Sequence, residues 1–308
     1  MIAVHSGSKD NMPAVVAVIA PGAMGAAVGR RLVERGAKVV TSLAGRSAGS
    51  VARAREAGML AASEPEIAAA DFVLSILPPG EALPLAEHLA PALTASNRKP
   101  VYVDCNAINP ATVERVAAAI ARTGCVFVDA GIIGAPPKPP PNPSPKAGEG
   151  RAGEGPRFYA SGPAAARFAA LVDYGLDVRV LDGPLTAASA LKMSYAGITK
   201  GTQALGAAMM LAAMRSGSAA ALFAELEFSQ KDMLAFLAQQ LAIMPPKAYR
   251  WVAEMQEIAD FVGADPAAHE LYVGAAHFYQ RIAADFAGEK ADVSALMAFL
   301  DKDFSRGK

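Results

Sequence analysis

Short apolar runs and helical spacings alternate along the first 180 residues, and after that only helical spacing remains. Val15 to Ala20 is a β-branched run stopped by Pro21-Gly22, which reads as a buried strand. Ala23 to Arg35 follows with helical spacing and closes at Gly36. Further strands are expected at Lys38 to Leu43, Phe72 to Leu77, Val101 to Asp104 and Val126 to Asp129. Helices are expected between them at Ser50 to Met59, Glu81 to Leu93 and Ala111 to Arg122. Another strand is predicted at Arg157 to Ala160, a helix at Pro163 to Tyr174 and a last strand at Val178 to Leu181. Such alternation implies crossover units and a parallel sheet covered on both faces. Thr186 to Met214, Ala219 to Leu241, Pro246 to Val262 and Pro266 to Phe286 all read as helices. The first of these is too apolar to face solvent on every side.

The expected fold class is therefore α/β, a Rossmann-type doubly wound parallel sheet followed by an all-α C-terminal domain. The boundaries are residues 13–182 for the sheet domain and 183–308 for the helical domain. Residues 1–12 hold Lys9 and Asp10 and no continuous apolar core, so they read as a disordered tail and not as a signal peptide. Composition breaks at residues 136–155. Seven of the ten residues from Pro136 to Pro145 are proline, and Ala-Gly-Glu-Gly then occurs twice. Nothing there builds a core, so an extended or mobile surface insertion is expected.

The chain has 308 residues with 29 basic and 29 acidic side chains. That balance argues against a nucleic-acid partner and a polybasic membrane surface. The longest uncharged helical run, Gly201 to Met214, is too short to span a bilayer. Two cysteines, Cys105 and Cys125, are too few for a disulfide framework, and the cytoplasm is the default compartment. The four histidines show no metal-ligand spacing, and no nucleophile-elbow motif occurs. No metal is expected.

The chemistry starts at the first strand–turn–helix. Val15 to Gly25 reads Val-Val-Ala-Val-Ile-Ala-Pro-Gly-Ala-Met-Gly. A dinucleotide fold uses three glycines for the tight turn, the approach of pyrophosphate and helix–strand packing. Gly22 and Gly25 hold the second and third places, and Ala20 stands in the first. Gly22, Ala23, Met24 and Gly25 are thus cofactor-binding candidates, with the helix N-terminus offered to phosphate. After the second strand an NAD site usually carries an acid for the ribose hydroxyls. Here the residues run Thr41-Ser42-Leu43-Ala44-Gly45-Arg46-Ser47, without an acid. Arg46, with Ser42 or Ser47, suits a 2′-phosphate, and NADP is predicted over NAD. Leu77, Pro78 and Asn106 follow later strands at their carboxyl ends, where ligands lie in an open parallel sheet.

These motifs resemble the β-hydroxyacid dehydrogenases, which include 3-hydroxyisobutyrate and 6-phosphogluconate dehydrogenases. The resemblance runs from about Val15 to Phe286. It rests on Pro-Gly-Ala-Met-Gly (21–25), Gly-Arg-Ser (45–47), Leu-Pro-Pro (77–79), Asp-Cys-Asn-Ala-Ile-Asn-Pro (104–110), Asp-Ala-Gly-Ile-Ile-Gly (129–134) and Lys192. The stretch around Lys192 is closer to a little-characterised phosphogluconate-dehydrogenase-like branch with its own C-terminal domain type. The resemblance implies that Lys192 exchanges a proton with the substrate hydroxyl while hydride moves to or from nicotinamide. It also implies a homodimer through the helical domain. It places Gly131, Ile132, Ile133 and Gly134 at the substrate. Ile133 stands where the family carries Ser, and Tyr195 and Ala196 stand where it carries an Asn pair. Those departures leave room for a less polar substrate.

From the residues themselves, Lys192 sits in a stretch with few charges, where desolvation lowers its pKa toward acid–base use. Lys192, Tyr195 and Thr199 form a polar stripe on one helical face. Arg250 and Glu254, four apart, are expected to pair. The leading reading is an NADP-dependent oxidoreductase acting on a small alcohol or hydroxyacid in an interdomain cleft. Lys192 and Tyr195 are its catalytic candidates, and Thr199 contacts substrate. The alternatives are an imine reductase on the same scaffold and a non-catalytic NADP-binding sensor.

Overall fold

The computed structural model describes residues 13–137 and 155–304. The expected N-terminal tail and most of the expected insertion lie outside the described residues. Two compact units emerge. One takes in residues up to Asn106 together with Pro110–Ser189, and the other takes in Ala107–Asn109 and residues from Ala190 onward.

The first unit is built on strands β1 (Val15–Ile19), β2 (Lys38–Thr41), β3 (Leu60–Ala61), β4 (Phe72–Ser75), β5 (Val101–Asp104), β6 (Val126–Ile133), β7 (Arg157–Ser161) and β8 (Asp177–Val180). Its helices are α1 (Ala23–Glu34), α2 (Ala48–Glu56), α3 (Glu64–Ala68), α4 (Ala82–Ala95), α5 (Pro110–Ala121) and α6 (Ala165–Phe168). The sheet order is β3-β2-β1-β4-β5-β6-β7-β8. This is the doubly wound order, which reverses between β1 and β4 and leaves a crevice beyond their carboxyl ends. Val16, Val18, Leu74, Val101 and Val103 are all at most 1% exposed, as expected for strands covered on both faces.

All pairs are parallel except β6 with β7, which run antiparallel. A parallel return needs a crossover, usually helical, and no helical pattern separates Ile133 from Arg157 in the sequence. Three short elements differ from the sequence expectation. β3 and α3 span two and five residues, too few for periodicity to register. The helix expected at Pro163 to Tyr174 is α6 followed by a 3-10 stretch, Ala169–Tyr174, that ends at Gly175 with φ +82°.

The last helix to start in the first unit is α7 (Ala187–Ser216), which continues into the second. After it come α8 (Ala219–Ser229), α9 (Lys231–Leu241), α10 (Ala248–Phe261), α11 (Pro266–Ala287) and α12 (Ala291–Leu300). The expected single helix from Ala219 to Leu241 breaks at Gln230, whose φ of −138° and ψ of 45° leave the helical region. Their core joins Met210, Leu237, Met255, Tyr279 and Phe299. Among the described residues, no helix is long and apolar enough to cross a membrane.

Candidate functional site

The candidate residues fall into two groups, one in each unit. The first group begins at the turn between β1 and α1. Ala20, in the place of the first fingerprint glycine, adopts φ +69°, a left-handed conformation that favours glycine. Its carbonyl accepts the Gly22 N–H at 2.8 Å, which tightens the turn. A Cβ on Gly25 would lie 2.3 Å from that same carbonyl oxygen, so the third position admits only glycine. A Cβ on Gly22 would project into open space. The turn therefore leaves a cradle beside Gly22 and packs tightly behind it. The first intrahelical acceptor is the Gly22 carbonyl, which takes the Ala26 N–H at 2.9 Å. No acidic side chain sits in the first turn, so among the described residues the amides of Ala23, Met24 and Gly25 and the positive helix end face the cradle uncompensated. Met24 is partly buried against the sheet core.

Beyond β2, Leu43 to Arg46 form a turn closed by Arg46 N–H to Leu43 carbonyl at 3.2 Å, with Gly45 at φ +68°. Arg46 is exposed. Ser47 caps α2, its Oγ accepting the Ser50 N–H at 3.3 Å. Arg53, which sequence reasoning passed over, folds back from α2 across this turn. Its Nε donates to the Pro21 carbonyl at 3.0 Å and its Nη2 to Ser50 Oγ at 2.9 Å. Sequence offered only the i+3 spacing from Ser50 as a signal.

At the carboxyl ends of the central strands, Ser75, Asp104, Asp129 and Ser161 stand side by side in register, each fully buried. Asn106 belongs to this row. Its Nδ2 donates to Ser75 Oγ at 2.8 Å and to Asp104 Oδ2 at 3.0 Å, and its Oδ1 accepts the Leu77 N–H at 2.5 Å. Both amide hydrogens are thus engaged within the protein, and Asn106 holds the loop carrying Leu77 and exposed Pro78. Asp129 fastens the start of α7 by accepting Ser189 N–H at 2.8 Å and Ser189 Oγ–H at 2.6 Å. Burial pushes the Asp104 carboxyl up to about 7, against the two Asn106 hydrogen bonds, with the neighbouring Asp129 charge adding to the rise. Burial also pushes Asp129 up to about 6, against the hydrogen bonds from Ser189 and Ser161. Neither acid was singled out for a role from sequence. Their identity was legible, but their adjacency depends on strand register.

The segment Gly131, Ile132 and Ile133 is the outer half of β6, paired to Tyr159, Phe158 and Arg157 of β7. Gly134 follows at φ +124°, where a Cβ would meet the Pro156 backbone at 3.0 Å.

The second group lies on α7 and α10. Lys192 is partly buried. Burial lowers its pKa from the ordinary lysine value; Glu254 acts in the opposite sense and Lys200 adds to the lowering. Glu254 is 7% exposed and pairs with Lys200, not with Arg250 as expected from the i, i+4 spacing. Desolvation alone would raise the Glu254 pKa, but Lys200 and Lys192 outweigh it, so it lies below the usual carboxylate value. The Lys200 ammonium also lies 5.1 Å from the Trp251 ring centroid, and the Lys200 carbonyl accepts Tyr279 Oη–H at 2.6 Å. Lys200 lies 54 positions from Glu254, so helical periodicity could not pair them. The three residues of the expected polar stripe all lie on α7. Tyr195 is 50% exposed, and the Thr199 hydroxyl donates to the Tyr195 carbonyl at 2.9 Å.

Residues 15–139 match the NAD binding domain of 6-phosphogluconate dehydrogenase. Residues 213–282 match a domain of unknown function, DUF1932. Among solved structures, the chain is similar to a conserved protein of unknown function that was found structurally similar to 3-hydroxyacid dehydrogenases. That match has 28% identity and a TM-score of 0.63, and covers 87% of this chain and 99% of that one. A conserved hypothetical protein from Sinorhizobium meliloti matches at 22% identity and TM-score 0.68, over 96% and 97% of the two chains. The 3-hydroxyisobutyrate dehydrogenase of Mycobacterium tuberculosis matches at 21% identity and TM-score 0.67, over 90% and 96%. None of the curated proteins matches the chain.

Proposed function

We propose that the chain, which matches the NAD binding domain of 6-phosphogluconate dehydrogenase over residues 15–139 and DUF1932 over residues 213–282, is an NADP-dependent oxidoreductase acting on a small alcohol or hydroxyacid. The observation that carries this reading is the turn from β1 to α1. Its open face at Gly22, its closed back at Gly25 and its three free amides fit a pyrophosphate. Gly22 to Gly25 hold that group, Arg46 and Ser47 stand at the ribose phosphate, and Leu77 and Pro78 flank the cofactor in a loop braced by Asn106. Nicotinamide, when bound, supplies or accepts the hydride.

Lys192 is the acid–base. A lysine whose pKa is lowered by burial holds a larger neutral fraction at a given pH than an ordinary lysine. It can then take the hydroxyl proton during oxidation and return it during reduction. Tyr195 is the second catalytic group. Thr199 and the outer half of β6, Gly131 to Gly134, contact substrate. The 3-hydroxyisobutyrate dehydrogenase fold supports a small polar substrate, and Ile133 in this chain favours a less polar one. A homodimer through the helical unit accounts for Ile198, Leu205 and Met209, which α7 leaves 69%, 66% and 55% exposed. Light scattering of the purified chain checks it.

The test of the reading is a turnover panel of small hydroxyacids, alcohols and cyclic imines with NADP(H), alongside Lys192→Ala. The variant is expected to keep its NADP affinity and lose turnover by on the order of 100-fold or more. Full turnover in Lys192→Ala removes the acid–base assignment. Tight NADP binding without turnover on any substrate replaces the enzyme with a cofactor sensor. Turnover of imines alone moves the chemistry to C=N reduction.

A further inference from the structure

We propose that Arg53 is a specificity-determining residue of the cofactor site, the pre-positioned cation for the phosphate on the adenine ribose. The inference rests on the dinucleotide reading above and adds a residue to it. An exposed arginine on a helix normally ranges through solvent, and holding it in one rotamer costs side-chain entropy. Arg53 is held all the same. Its Nε donates to the Pro21 carbonyl, one residue before Gly22, and its Nη2 donates to Ser50 Oγ. Ser50 Oγ lies 3.2 Å from Ser47 Oγ, so the guanidinium abuts a pair of hydroxyls at the start of α2.

Two of its five N–H donors are engaged by these bonds, and the rest remain in the same plane for a planar or tetrahedral oxyanion. Neither partner carries a full negative charge, and no carboxylate forms an ion pair with Arg53 among the described residues. A fixed, uncompensated cation beside a phosphate-binding turn is arranged for an anion. Which anion follows from the element that carries it. The pyrophosphate belongs to the N-terminus of α1, whereas the adenine ribose belongs beyond β2, where α2 begins. The phosphate that α2 addresses is therefore the one on the ribose. Arg46, exposed on the preceding turn, is a second cation for the same group. Arg53 differs from it in being ordered beforehand.

The experiment is calorimetric titration of the full chain with NADP+, NAD+ and 2′,5′-ADP. Wild type is expected to bind NADP+ and 2′,5′-ADP more tightly than it binds NAD+. Arg53→Ala is expected to weaken NADP+ and 2′,5′-ADP by on the order of 10- to 100-fold while NAD+ changes little. Arg53→Gln retains a side-chain donor without the charge and is expected to lose the same preference, with a circular dichroism melt confirming its fold. A wild-type preference for NADP+ that survives in both variants overturns the inference and leaves the cofactor reading standing. Equal losses for NADP+ and NAD+ also overturn it, since Arg53 then only braces the turn. Equal wild-type affinity for NADP+ and NAD+ overturns the cofactor choice and the inference together.

Discussion

The sheet unit buries two acids, Asp104 and Asp129, and among the described residues no cation forms an ion pair with either. The helical unit buries one acid, Glu254, in the field of two lysines. The same physics acts on both, because burial disfavours whichever form carries charge. In the sheet it raises Asp104 to about 7 and Asp129 to about 6, and the register that sets Asp129 beside Asp104 adds to the rise of Asp104. In the helices it lowers Lys192, and the fixed charges on Glu254 and Lys200 set how far. In both units burial leads, and the hydrogen bonds and charges beside each group set how far it moves.

The units also differ in what glycine does, and that contrast yields the largest expected effect. In Gly25→Ala the new methyl meets the Ala20 backbone oxygen, which can move only if the turn moves. A stability loss of about 3 kcal/mol is expected, with loss of dinucleotide binding. In Gly206→Ala on α7 the methyl meets the end of the Leu237 side chain, and alanine is the better helix former by about 1 kcal/mol. A net change within about 1 kcal/mol is expected there. Urea midpoints of the two variants measure both, and equal losses would erase the distinction.

The next effect is on pH dependence. The folded state keeps protons on Asp104 and Asp129 up to about 7 and 6, whereas the unfolded chain releases them near 3.8. Their contribution to stability is therefore complete below 3.8 and lost as pH rises through 6 to 7. The urea midpoint of wild type is expected to fall over that interval, and Asp104→Asn to flatten the upper part of the fall. A flat wild-type profile would show that the row does not titrate. Lys192 runs the other way. With its folded pKa lowered, its contribution is present above the ordinary lysine value of 10.5 and lost as pH falls through the lowered one.

Smaller again is the effect of Glu254→Gln on catalysis. The carboxylate raises the Lys192 pKa, and its removal also leaves Lys200 without its ion-pair partner. Both changes lower the Lys192 pKa, so the alkaline-rising limb of oxidation is expected to move to lower pH. Lys192→Arg, protonated throughout, serves as the reference without a limb. An unmoved limb in Glu254→Gln would detach the α10 carboxylate from the reaction.

How much of this was legible in sequence differs between the units for the same reason. The doubly wound sheet follows from β-branched runs separated by helices, since each strand announces itself locally. The elements that escaped are those without a local signal. β3 has two residues, and α9 starts after Gln230 without a glycine or proline to mark it. Even so, Ser63 followed by Glu66 was a readable start for α3, and the Ser63 N–H does donate to Glu66 Oε2 at 2.7 Å. Arg46 and Lys192 stood out as charges in apolar or glycine-rich surroundings. Asp104, Asp129, Arg53 and the Lys200–Glu254 pair did not. Their significance depends on partners between 25 and 60 positions away, which neither alternation nor helical spacing encodes.

The smallest expected effect concerns Ala20, where the sheet unit keeps a glycine's conformation without the glycine. At φ +69° the alanine Cβ crowds the following carbonyl, at a cost of about 1–2 kcal/mol. Replacing Ala20 with Gly relieves that strain and frees the unfolded chain, which returns about 0.4–1 kcal/mol to the unfolded side. The net gain is expected to be about 0.5 kcal/mol, since the Gly22 N–H to residue-20 carbonyl bond involves only backbone atoms and survives the change. Dinucleotide affinity should change little, because the cradle at Gly22 and the amides of α1 are untouched. A large rise in affinity would mean that the strained alanine holds the turn away from its binding shape, and a loss of stability would mean that the left-handed turn is held by Ala20's own packing.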